Sequence, residues 1–153
     1  MTSLIADFVA RREPISSTPP VFESILPNSP PDAIEQPTLD MLAANQRNEV
    51  LRIRKILANP PPALRLASVQ TLMREEMAFE VRFYRAGGIL TTGPDPSGYG
   101  AVIAGLGDWR EIELLVQAGL RPLEAIHAAT ENGAIALGLD SPIGTIAVGK
   151  NAD

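Results

Sequence analysis

Ten of the 14 prolines in this 153-residue chain fall between Pro14 and Pro62. Proline has no N–H to give to a helix or a sheet ladder, and its ring clashes with the preceding helical turn. The first third is therefore cut into short pieces, while the remainder is free to form longer regular elements. Residues 2–12 place Leu4, Ile5, Phe8 and Val9 at helical spacing, and Pro14 stops that helix. Ile15 to Phe22 carries β-branched and aromatic residues interrupted by Pro19 and Pro20, which predicts a short strand with an irregular end. Residues 24–37 read as a loop. Leu39 to Leu57 reads as one helix, ended by residues 59–62. Ala67 to Ala86 reads as a second, with Gly87 and Gly88 at its C-terminal cap.

Ile89 to Thr92 predicts a second short strand, which runs into the loop Gly93-Pro-Asp-Pro-Ser-Gly-Tyr-Gly100. Pro96 disfavours the α conformation at Asp95, so this loop is not helical. Asp108 reads as a helix cap with Glu111 completing a capping box, and Ile112, Leu115 and Val116 form the apolar stripe up to Gly119. Pro122 suits the first position of the next helix, which runs to about Thr130. Thr130 is placed to cap a further turn or two to Leu137, ended by Gly138. Ile143 to Asp153 alternates weakly and reads as a β-hairpin that stops just after its turn. Two strands joined by a long helical connection should be parallel, with a right-handed crossover. Two strands do not make a stable sheet alone. The pattern therefore predicts the last part of a larger α/β protein.

Composition narrows the function classes. The net charge is −5 and the pI about 4.9, which argues against a phosphate-neutralising surface and so against a nucleic-acid partner. There is no cysteine, which excludes disulfides, thiolate metal sites and cysteine nucleophiles. One histidine, His127, excludes a His-rich metal centre built from this chain alone. No apolar run approaches the roughly 20 residues of a membrane span, so no membrane partner is expected. The N-terminus has an early acid and no apolar h-region, unlike a signal peptide. A cytoplasmic chain is the expectation, with export of a longer parent left open.

Asp95 is the sharpest candidate for chemistry. It follows a strand directly, between two prolines in a glycine-rich loop. Polar residues at the C-terminal ends of parallel barrel strands line active sites, and a carboxylate there can bind a divalent metal and move a proton. The alternative is an Asx-type turn. Ser16, Ser17, Thr18 and Glu23 flank the end of the first strand, where they either orient a polar substrate or serve turn chemistry. His127 reads as a partly buried or surface histidine, with no carboxylate at metal-ligand spacing. Trp109 reads as a packing anchor, and Arg110 with Glu113 as a solvated helix pair. Gly149-Lys150 is not a P-loop, and there is no G-x-S-x-G, H-E-x-x-H or G-x-G-x-x-G after a strand.

The stretch Ala86-Gly-Gly-Ile-Leu-Thr-Thr-Gly-Pro-Asp-Pro-Ser-Gly-Tyr-Gly100 resembles the amidohydrolase superfamily, in particular its imidazolonepropionase-like and prolidase-like members. The likeness continues through Arg110-Glu-Ile-Glu-Leu-Leu-Val-Gln-Ala-Gly119, Pro122-Leu-Glu-Ala-Ile126, Ala128-Ala-Thr130 and Asn132-Gly-Ala134. It ends with Ile143-Gly-Thr-Ile-Ala-Val-Gly-Lys-Asn-Ala-Asp153. Ser17-Thr-Pro-Pro-Val-Phe-Glu23 is similar to the family's late-strand stretch. The resemblance implies a (β/α)₈ metallohydrolase barrel beside a small β-sandwich. This chain is then α/β, a partial TIM barrel made of the last two strands and their helices. Residues 1–139 belong to the barrel, and 140–153 begin the return to the sandwich.

By the same resemblance Asp95 falls on the strand-eight aspartate that contacts the metal and shuttles the proton. Ser17, Thr18, Glu23 and Tyr99 are weaker substrate candidates. The implied reaction is hydrolysis of an amide, cyclic amide or dipeptide-like C–N bond in a small molecule, with a divalent metal, zinc foremost, held by a full-length parent. Pro94 stands where the family has threonine, and Pro19 where it has leucine. The His-x-His of the first barrel strand, the bridging Lys or acid of the fourth, and the histidines of the fifth and sixth have no counterpart. One carboxylate cannot hold a catalytic zinc, which takes three protein ligands. The chain alone is therefore expected to bind no metal tightly and to be inactive. The alternatives are a truncated, non-catalytic product that docks on a barrel partner, and a complete small α/β domain using the Asp95 loop for a ligand. Association into a homo-oligomer is left open.

Overall fold

The computed structural model describes residues 2–26, 35–57, 66–96 and 102–151. Among them the chain is mostly helical, with one two-stranded parallel sheet. It divides into two compact units. One comprises Met1–Ser17, Met77–Gly93 and Ile112–Asp153; the other comprises Thr18–Glu76 and Pro94–Glu111.

The first unit holds the sheet and the main core. Helix α1 (Thr2–Arg11) buries Ile5 and half-buries Phe8 and Val9, while Leu4 is left in solvent. It ends with the Arg12 N–H on the Val9 carbonyl and the Glu13 N–H on the Phe8 carbonyl, a Schellman cap with Arg12 at a φ of 55°. Strand β1 (Ile15–Ser17) pairs in parallel with β2 (Leu90–Thr92), Ile15 opposite Leu90 and Ser17 opposite Thr92. The expected parallel pairing is thus present. The last helical residues before β2 carry Val81 and Phe83 into the core, where Phe83 stacks on Phe79 and meets Phe8 edge-on. Gly87, at a φ of 87°, closes that helix with its N–H on Tyr84, and Gly88 follows with its N–H on Phe83. A Cβ on Gly88 would lie 2.4 Å from the Phe83 ring, so the ring occupies the space that only glycine leaves.

The second unit departs most from the sequence expectation. Ile15 to Phe22 is not one strand: β1 stops at Ser17, and Pro19 and Pro20 open helix α2 (Pro19–Ile25). Proline is welcome in a first helical turn, whose N–H groups have no intrahelical partner. Part of the predicted 24–37 loop is also helical. The single predicted helix 39–57 is instead α3 (Glu35–Met41) and α4 (Ala44–Leu57), the latter touching α2. Helix α5 (Leu66–Arg85) begins in this unit, with Val69 and Met73 buried.

Helix α6 (Leu106–Ala118) starts two residues before Asp108, its expected cap. Asp108 is not its cap. It lies in the first turn and accepts the Gly105 N–H at 3.0 Å, and Glu111 is fully buried rather than part of a capping box. Trp109 is 72% exposed, so it anchors no packing.

In the first unit, α7 (Pro122–His127) does not end at a Thr130 cap. It continues through a π-turn, residues 128–132, into α8 (Gly133–Leu137), and the Thr130 hydroxyl donates back to the Ile126 carbonyl. The expected hairpin after Ile143 does not form among the described residues. The Asn151 N–H bonds to the Pro142 carbonyl to close a loop, and Ile146 and Val148 are fully exposed. Among the described residues no second strand lies there to satisfy a ladder, and a lone alternating segment does not make a strand by itself.

Candidate functional site

The two strand ends are joined by one more ladder bond, from the Gly93 N–H to the Ser17 carbonyl at 3.1 Å. A Cβ on Gly93 would sit 2.4 Å from Ser16 Oγ, so glycine permits this close approach. Ser16 is exposed. Ser17 is fully buried, and among the described residues its hydroxyl has no hydrogen-bond partner. A buried hydroxyl left unmatched costs about 1–3 kcal/mol.

On the other side of β2, the buried Asn132 amide donates to the Leu90 carbonyl at 2.9 Å. Asn132 lies in the π-turn, a distortion found often near functional sites. Asn132 belongs to a stretch that carries the family resemblance, but a π-turn has no simple residue signature, so the sequence assigned it no such contact.

Asp95 lies two residues beyond Gly93 in the chain. It has a φ of 45°, a left-handed conformation that costs a residue with a Cβ about 1–3 kcal/mol, and its side chain is exposed. Pro94 is buried. A Cβ on Gly107, at the start of α6, would come within 2.4 Å of Val102 and 3.1 Å of Pro94, so Gly107 lets the Asp95 loop pack closely on that helix. Tyr99 lies outside the described residues.

Glu23 has a protein partner, and Thr18 lies near Glu76. Burial raises the Glu76 carboxyl above its ordinary pKa, and the Thr18 hydroxyl opposes that rise more weakly. Among the described residues Glu76 Oε2 is buried without a hydrogen-bond partner. Glu23 accepts from Arg110 Nε at 2.8 Å and Nη2 at 2.6 Å in a half-buried bidentate pair. That contact is one the expected pairing of Arg110 with Glu113 does not include. Glu23 therefore ties α2 to α6 and does not present a vacant carboxylate.

His127 is half-buried, as predicted for a structural histidine. The expected lack of a neighbouring carboxylate does not hold, since Glu131 Oε2 lies 3.2 Å from Nε2. Its spacing of four residues was visible in the sequence. The Tyr84 hydroxyl sits 3.1 Å from Nδ1, and burial, with the Glu124 charge behind it, raises the Tyr84 pKa. Among the described residues no three His, Cys, Asp or Glu side chains come together to hold a metal ion. The donors described do not fit a catalytic zinc. No described helix is long and apolar enough to cross a membrane.

Residues 85–153, a little under half of the chain, match the model of the amidohydrolase family. No curated protein and no solved structure gives a significant match. The matched segment contains Gly87, Gly88, β2, Asp95 and Asn132; Ser17, Thr18 and Glu23 lie before it. The match supports the amidohydrolase superfamily, whose members are generally metal-dependent, and suggests a hydrolase-type function.

Proposed function

We propose that this chain is the late part of an amidohydrolase barrel that cleaves C–N bonds in small amides, cyclic amides or dipeptide-like substrates, with Asp95 the carboxylate it contributes. The reading extends to imidazolonepropionase-like or prolidase-like chemistry and to zinc as the metal. Residues 1–139 would belong to the barrel and 140–153 to the approach to a β-sandwich. The observation that carries it is the family match over the segment where a parallel strand runs into a left-handed aspartate. The described residues assemble no metal centre; on this reading other polypeptide supplies the remaining ligands and this chain alone is inactive. Ser17 remains a substrate candidate on its unmatched hydroxyl, and Tyr99 on the resemblance alone. Glu23 is weakened as a candidate because its carboxylate already has a partner, and Thr18 stays a candidate on the resemblance.

A zinc titration of the purified chain, with an amide and dipeptide hydrolysis screen, tests this. The expected result is neither stoichiometric tight zinc nor turnover; both together would overturn the incompleteness of the site. In any longer polypeptide that does turn over, Asp95→Asn should lower kcat by about 10²-fold or more, as for loss of a proton-transferring group. Unchanged kcat would remove Asp95 from the reading. A second reading, a non-catalytic docking product, is favoured by the exposure of Leu123, Leu137, Ile146 and Val148. Sedimentation as a monomer at all concentrations would count against it.

A further inference from the structure

We draw no further inference here: the strongest candidate, the loop 142–151, whose base is closed by the Asn151 N–H on the Pro142 carbonyl and by Lys150 on the Asp140 and Ile143 carbonyls while Ile146 and Val148 stand fully exposed at its tip, is an apolar surface for which nothing in the structure shows what covers it.

Discussion

Removing the Asn132 amide should loosen the strand that leads to Asp95. Asn132 is 4% exposed, Leu90 is fully buried, and the bond between them is 2.9 Å. In Asn132→Ala the Leu90 carbonyl loses that donor in a place water does not reach. A net hydrogen bond is worth about 1 kcal/mol, and an acceptor left unmatched costs about 1–3 kcal/mol. The freed side-chain entropy returns under about 1 kcal/mol. The expected loss is therefore about 2 kcal/mol, or roughly 4–8 °C in Tm for a chain of this size. Asn132→Asp keeps the shape but cannot donate when ionised, so it should be worse than alanine at neutral pH. Burial would raise that carboxyl above its unfolded pKa, and the folded state would keep its proton to higher pH. The Asp variant should therefore recover as pH falls and weaken as pH rises through the window between the two values. Thermal unfolding followed by circular dichroism from pH 4 to 8 measures both variants. An alanine variant within about 0.5 kcal/mol of the parent, with the aspartate no worse, would refute the argument that this bond is structurally important.

Two glycine substitutions should differ despite equal nominal overlap. Gly88→Ala drives a Cβ to 2.4 Å from the fully buried Phe83 ring and should cost about 1–3 kcal/mol. Gly93→Ala meets the Oγ of exposed Ser16, which can rotate away, and should cost less; equal losses of Tm would contradict this. Glu76→Gln should flatten the pH dependence of stability. Its raised folded pKa means that the fold gains from protonation and loses that contribution as pH rises through the window above the unfolded value. Urea midpoints from pH 4 to 8 that kept the parent's slope would contradict the assignment. Breaking the Glu23–Arg110 pair by Arg110→Ala should cost about 1–3 kcal/mol, since both side chains are largely shielded and the contact is bidentate. A double-mutant cycle with Glu23→Gln measures the coupling, and zero coupling would make the contact incidental.

Local chemistry settled much of this chain. Gly87, Gly119 and Gly138 sit at helix ends where they were expected, because a left-handed terminal residue is a property of a few consecutive residues. The parallel sense of β1 and β2 was also legible, since a long helical connection returns the chain in the same direction. Pro19 and Pro20 misled because the same dipeptide can interrupt a strand or open a helix, and the surroundings choose between them. The irregular loop around Asp95 is legible in its prolines and glycines, but the φ of 45° at Asp95 is not legible in the residues alone. The contacts that place side chains came from farther apart. Glu23 found Arg110, and Asn132 found the Leu90 carbonyl. Each joins groups distant in sequence, and a polar side chain shielded from water takes whichever complementary atom the packed chain brings within reach. Periodicity can say which face of a helix is apolar, but it cannot name the partner waiting there.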